Sequence, residues 1–324
     1  MSQSKSALTD KRVGITGGAG FIGSNLANYL AAENDVVAID DLYLGIESNL
    51  DDDVTFYDKS VLDDDLADLI GDVDVLYHLA ALSSRQMHEE NPRRGVRVNV
   101  EGFVNAIEAV RDTCESVVYA STSSIYGDRT EPSPTSMAVE AQTGYEASKL
   151  ARERYAEYYS NHYGMNVAGL RFFSVYQGFG GNEAHKGTFA NTVAQFADAI
   201  ANGQRPELFG DGSQTRDFTH VDDVVRALDL TAAEQLTGVY NVGTGEAYSF
   251  NEMVGLINDA LGTDVEPIYV DCPFDGYVTD TLADCSAFRA ATAWSPQVGF
   301  EAGVRRVCVP YVESQTAEQL EVGR

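Results

Sequence analysis

The sequence is poor in lysine: only Lys5, Lys11, Lys59, Lys149 and Lys186 occur in 324 residues, against 50 aspartates and glutamates, and the formal net charge is -28. A surface this negative repels phosphate backbones and anionic lipid headgroups, which argues against nucleic-acid or membrane-surface binding. Cysteine is sparse as well. Cys114, Cys272, Cys285 and Cys308 lie far apart and form no CxxC pair, so neither a metal site nor a disulfide framework is expected, and a reducing compartment fits. No stretch of 18 apolar residues occurs, and Met1 to Asp10 carries no apolar leader core. The expectation is a soluble, cytoplasmic protein.

What is present is a full complement of core residues, 44% of the chain, enough for one large domain or two unequal ones. The carboxylates are dispersed and include the runs Asp51-Asp52-Asp53 and Asp63-Asp64-Asp65. Spread in this way, with few lysines, they read as adaptation to multimolar salt, which screens their self-repulsion, rather than as a patch for a basic partner.

The first half alternates short β-branched runs with longer helical patterns. The runs are Val13 to Thr16, Val36 to Asp40, Val54 to Tyr57, Val73 to Leu79 and Ser116 to Ala120. Helices are expected over Phe21 to Ala32, Val98 to Val110 and Tyr145 to His162, the last ended by Gly164 and followed by a strand at Val167 to Arg171. Right-handed crossovers then give an α/β fold with a doubly wound parallel sheet over residues 1–171. From residue 172 to 312 the pattern loosens into a smaller α/β domain, part of which, within 217–262, is expected to return to the first. Residues 313–324 read as a polar tail, either a frayed helix or disordered.

Gly17, Gly20 and Gly23, in Gly17-Gly18-Ala19-Gly20-Phe21-Ile22-Gly23, lie between the first strand and the first helix. Glycines there permit a tight turn and let the N–H groups at the helix start, through Phe21 and Ile22, approach a pyrophosphate. Seventeen positions on, Asp40 ends the second strand, where it can accept from an adenosine ribose and repel a 2′-phosphate, favouring NAD over NADP. Asp41 follows it. Asp58, after the third strand, is placed near the adenine on spacing alone.

These residues resemble the extended short-chain dehydrogenase/reductase family, specifically its NAD-dependent nucleotide-sugar epimerases and dehydratases. Beyond the glycine run, the resemblance rests on Asp40-Asp41-Leu42, His78-Leu79-Ala80-Ala81, Ser121 to Gly127, Tyr145-Glu146-Ala147-Ser148-Lys149, Gly210-Asp211-Gly212 through Arg216-Asp217-Phe218, and Asn241 to Gly245. It implies a Rossmann-type fold, NAD as cofactor with Leu79, Ala80 and Ala81 beside it, and a nucleotide sugar as substrate. Tyr145 and Lys149, at i and i+4, face one side of a helix. A phenol with a free pKa of about 10 is a poor base until a neighbouring cation favours the phenolate. Tyr145 is then the proton acceptor, Thr122 holds the substrate hydroxyl, and Lys149 also reaches the nicotinamide ribose in this family. Asn99 is a candidate for positioning the helix that carries the catalytic pair, or an ordinary helix-start residue.

Dehydratases of the family carry an Asp-Glu pair directly after the catalytic threonine, because elimination needs an extra acid and base. Here Ser123 and Ser124 stand there, which points to epimerisation, at C4 of a UDP-hexose such as UDP-glucose or UDP-galactose. The alternatives are an epimerase, dehydratase or reductase on another nucleotide sugar, dTDP-, GDP- or ADP-linked, or a non-catalytic dinucleotide-binding regulator. Arg216 is expected at the substrate diphosphate, or else in an ion pair with Asp217 or Asp211. Ser174 stands where many epimerases have asparagine. His185-Lys186-Gly187 is similar to a run in ADP-heptose 6-epimerases, where the lysine can act as a second base, so Lys186 is a candidate substrate ligand. The resemblance also implies a homodimer, joined in a four-helix bundle by the helices starting near Val98 and Tyr145. The stripe Val100, Phe103, Val104 and Ile107 lies either inside that bundle or on the sheet.

Overall fold

A computed structural model describes residues 5–274 and 276–322, with side chains to Ser314. Chain order gives strands β1 (Arg12–Thr16), β2 (Asp35–Asp40), β3 (Thr55–Asp58), β4 (Val75–His78), β5 (Ser116–Ala120) and β6 (Val167–Phe172). The shorter β7 (Val175–Tyr176), β8 (Glu207–Phe209), β9 (Thr215–Arg216) and β10 (Thr219–His220) follow, then β11 (Gly238–Val242), β12 (Tyr248–Ser249) and β13 (Ile268–Val270). Helices are α1 (Phe21–Ala31), α2 (Leu66–Ile70), α3 (Arg85–Glu90), α4 (Pro92–Val96), α5 (Gly102–Val110), α6 (Gly144–Tyr163), α7 (Thr192–Ala201), α8 (Val221–Ala233), α9 (Phe250–Leu261), α10 (Ser286–Thr292) and α11 (Phe300–Val322).

Seven strands form one parallel sheet in the order β11-β6-β5-β4-β1-β2-β3. This is the Rossmann arrangement, with β11 added beyond β6. Val13, Ile15, Val36, Val75 and Val118 point to one face, where Leu26 and Leu30 of α1 and Val221, Val224 and Leu228 of α8 cover them. Val37, Ile39, Leu76, Val117 and Tyr119 point to the other, beneath Phe103, Ile107 and Val110 of α5 and Ala156 and Tyr159 of α6. Burial on both faces explains why these strands read as continuous apolar runs. A third core, including Val193 and Ile200 of α7, Met253 and Ile257 of α9, and Val304 and Val307 of α11, holds the smaller C-terminal part together.

Strand order reverses between β1 and β4, so the loops leaving their C-terminal ends diverge and open a crevice. The helix expected from Val98 begins as a π-helical turn, Arg97–Glu101, before α5; such turns insert one extra residue. Phe103 and Ile107 of the stripe lie fully buried against the sheet. α6 starts in a capping box between Thr143 and Glu146, which satisfies orphan N–H groups at its first turn. α11 continues through the segment read as a polar tail to Val322; residues 323–324 of that segment lie outside the described residues.

Candidate active site

The crevice is a cavity of about 530 Å³, within the range of small-molecule sites. At its β1 end, Gly17 stands at φ +70°, and a Cβ there would come within 2.5 Å of the backbone nitrogen of Ala80. A Cβ on Gly23 would lie 2.0 Å from the carbonyl oxygen of Gly17. The turn closes only with glycine at both places. No side chain caps α1 at Gly20, so the N–H groups of its first turn remain available at the cavity wall, which Phe21 and Ile22 line. Asp40 lines the same end. Its Oδ1 accepts from Leu42 N at 2.9 Å and its Oδ2 from Ala19 N at 3.2 Å, and burial pushes its pKa up to about 6. An uncapped helix start beside a buried carboxylate fits the pyrophosphate and ribose of a dinucleotide.

The C-terminal ends of β4 and β5 supply the middle. Leu79, Ala80 and Ala81 line it, as do Thr122, Ser123, Tyr145 and Lys149. Lys149 is buried and its Nζ donates to Ala120 O at 2.9 Å, 5.7 Å from the Tyr145 ring centroid. Burial raises the Tyr145 pKa, while a hydrogen bond with Thr122 and the charge of Arg152 act in the opposite sense. Burial, then Arg152, lowers Lys149 well below the usual lysine range. The Thr122 hydroxyl lies 3.0 Å from Ser124 Oγ and accepts from Ser124 N at 3.2 Å.

Ser174, Lys186 and Arg216 also line the cavity. Ser174 holds φ +31°, a strained backbone for a residue with a Cβ. Arg216 forms no ion pair with Asp217 or Asp211. It donates to the carbonyls of Thr215 at 2.8 Å, Thr279 at 2.7 Å and Val278, and lies over the rings of Tyr277 and Phe250. Asp217 instead binds Thr244, Gly245 and Ala283, a structural clasp. Lys186 sits 5.5 Å from the Phe21 ring centroid, in no ion pair among the described residues, and burial lowers its pKa. No cluster of metal-ligating side chains occurs among the described residues.

Two expected residues stand outside the lining. Asp58 pairs with Asp40 across β2 and β3 but is exposed, and Lys59, Ser60 and Val61 line the cavity beyond it. Asn99 is fully buried behind the wall. Its Oδ1 accepts from Leu82 N at 2.8 Å, and its Nδ2 donates to Leu82 O at 3.1 Å and Ser148 Oγ at 2.9 Å.

Residues 13–243 match the NAD-dependent epimerase/dehydratase family, more than two thirds of the chain. The chain belongs to that family. NAD is accordingly its cofactor. This epimerase/dehydratase is 35% identical to the UDP-glucose 4-epimerase of Mycolicibacterium smegmatis over 90% of its own length and 96% of that protein. It is likewise 35% identical to the ADP-L-glycero-D-manno-heptose-6-epimerase of Alkalilimnicola ehrlichii, over 90% and 94% of the two chains. Among solved structures, UDP-glucose 4-epimerase of Thermus thermophilus in complex with NAD superposes with a TM-score of 0.82 at 31% identity, covering 93% of this chain and 98% of that one.

Sequence reasoning missed Arg94 of this epimerase/dehydratase. Its guanidinium lies 4.1 Å from the Tyr43 ring centroid and donates to Asp41 at 3.3 Å, across the cavity end where Asp40 stands. No spacing rule links residues 43 and 94, because only the crossover from β2 to the helices after β4 brings them together.

Proposed function

We propose that this chain is an NAD-dependent nucleotide-sugar epimerase, acting at C4 of UDP-glucose and UDP-galactose. The observation that carries the reading is that Tyr145, Lys149 and Thr122 meet in the same cavity as the glycine turn, with serines rather than an acidic pair beside Thr122. NAD, when bound, would supply the hydride acceptor for the sugar carbon and the donor that gives the same hydride back to its opposite face. Gly17, Gly20, Gly23, Phe21, Ile22, Asp40 and Asp41 would hold it, with Leu79 to Ala81 along its nicotinamide half. Tyr145 takes the proton from the C4 hydroxyl, and Thr122 holds that hydroxyl. Lys149, fixed by the Ala120 carbonyl, would hold a ribose hydroxyl. The 4-keto sugar then turns within the cavity, and Tyr145 returns the proton. Ser123 is assigned to the sugar, and Ser174, Arg216 and Lys186 to the diphosphate.

A second reading has one observation behind it. Lys186 is a half-buried ammonium without an ion-pair partner among the described residues, facing the cavity, where it would serve an ADP-linked heptose. The deciding experiment presents UDP-glucose, UDP-galactose, their N-acetyl analogues and an ADP-heptose separately in multimolar KCl, with and without added NAD. Interconversion of a UDP-hexose pair without net NADH supports the first reading; turnover of the heptose alone removes it. The same reading includes a homodimer and high-salt adaptation. The outward face of α6 exposes Tyr155, Tyr158 and Tyr163, a surface suited to a second copy, and sedimentation against KCl tests both.

A further inference from the structure

Tyr145, Lys149 and Arg152 occur on α6 at i, i+4 and i+7, so they stand in one line along the helix. The third has no task in the chemistry above. Arg152 is completely buried, and no carboxylate of the described residues pairs with it. Its neighbour Glu153 instead takes Arg171, through bonds of 2.9 and 2.7 Å. A guanidinium removed from water without a counter-ion is costly to hold, and arginine does not relieve the cost by deprotonating at neutral pH. Even with its pKa lowered to about 10 by burial, it stays charged there.

Backbone carbonyls hold it. Nε donates to Asn99 O at 2.6 Å and Nη2 to Ala80 O at 2.7 Å, while Nη1 is buried without a protein partner. Ala80 belongs to the cavity-lining loop after β4. Asn99 is the centre of the π-helical turn, and its side chain binds Leu82, Ser148 and His88. The His88 ring lies edge-on to Tyr145, centroids 5.7 Å apart. Arg152 thus ties the cavity loop, the π turn and the catalytic helix together from behind.

We propose that Arg152 is a positioning residue for the reaction: a fixed buried cation that favours the Tyr145 phenolate and holds the 79–82 loop against α6. This rests on the reading of Tyr145 as proton acceptor. Apart from Lys149, the other groups packed around the stripe do not supply such a charge. Glu146 on α6 opposes the phenolate, and Glu153 and Arg171 neutralise each other. His88 on α3 and His78 on β4 are kept neutral, chiefly by burial. Tyr119 on β5 is held protonated by burial, and Lys149, whose Nζ lies 5.7 Å from the Tyr145 ring centroid, has its charge opposed by burial and by Arg152, so Arg152 acts beside it and not in its place.

The test is an NMR titration of the whole protein, NAD-loaded and labelled with ¹³C at tyrosine Cζ, in which Tyr145 is assigned by its loss in Tyr145→Phe. Arg152→Met and Arg152→Gln are expected to raise the Tyr145 pKa by about one unit, and Arg152→Lys to leave it near the wild-type value. For any sugar that turns over, the kcat profile moves to higher pH by the same amount, so kcat at pH 7 falls about tenfold in Arg152→Gln with KM little changed. Arg152→Gln keeps a donor toward the carbonyls and carries the test if Arg152→Met does not fold. A purely structural arginine would lower the melting temperature and leave the titration unmoved, which overturns the proposal. The titration needs no sugar: a shifted Tyr145 in a protein that turns over nothing would remove the epimerase reading instead.

Discussion

Along the cavity, the half around Gly17 and Asp40 is made of backbone and strand ends, whereas the half around Ser174 and Arg216 is made of side chains delivered by distant segments. In the first, a Cβ at Gly23 would meet a carbonyl at 2.0 Å, so little but glycine is admitted. In the second, Arg216 leans on three carbonyls and two aromatic rings, and other arrangements would serve. A site bounded by backbone serves one ligand shape, which suits a cofactor common to a family. A site bounded by side chains can be retuned, which suits substrates that differ between its members.

The largest effect should come where the halves meet. Tyr145→Phe removes the proton acceptor while leaving the ring in place, and kcat is expected to fall by about 10³ or more, with NAD affinity measured by fluorescence within twofold of wild type. Activity surviving near the wild-type rate would break the link between the halves. Next is Gly23→Ala, which forces a methyl against Gly17. Overpacking of this kind costs about 1–3 kcal/mol, and calorimetric titration should show NAD binding weakened at least tenfold. An unchanged affinity would mean the glycine turn does not bound the cofactor.

The two halves also differ in how far the sequence reveals them. Phe21, Asp40 and the Tyr145/Lys149 pair follow from local periods: a strand end, a helix start, a four-residue spacing. The strands from Val13 to Ala120 were legible for the same reason, since burial on both faces leaves unbroken apolar runs. Arg94, Lys59, Val278 and Thr281 reach the cavity only through the tertiary fold, and no local pattern marks them. Arg152 was hidden differently. It continues the stripe of Tyr145 and Lys149, but an arginine seven residues along a helix normally reads as solvated, and only its burial reveals a role. Asp58 was placed by spacing, but it is exposed and Lys59, Ser60 and Val61 line the cavity.

Asp40 sharpens the cofactor side with effects of opposite sign. Its pKa in the folded protein, about 6, lies above the ordinary value of 3.8, so the native state binds this proton more tightly than the unfolded chain. Stability from this group is therefore fully present below about pH 3.8, is lost as pH rises through about 6, and stays absent above it. Asp40→Asn should remove that loss, stabilising the NAD-free protein at pH 7.5 by about 2–3 kcal/mol while weakening NAD binding about tenfold. Thermal melts of both proteins at pH 5 and 7.5 check the sign: the gap must widen at the higher pH.

On the substrate side the expected effects are smaller and differ between two cations. Arg216→Ala removes a planar donor held by carbonyls at the cavity end, and KM should rise by about tenfold, at most a hundredfold, with kcat within twofold, because a diphosphate is bound alike in ground and transition states. Lys186→Met should raise KM less, about threefold to tenfold, since a lysine in no ion pair among the described residues can move as the ligand enters. If both residues meet one diphosphate, the double variant falls short of the product of the single effects. A Lys186→Met variant that lost kcat as Tyr145→Phe does, with KM unchanged, would place this lysine in the chemistry. The comparison would then reverse, because the half of the cavity assigned to recognition would carry an acid–base group, and the ADP-linked heptose would become the substrate to pursue.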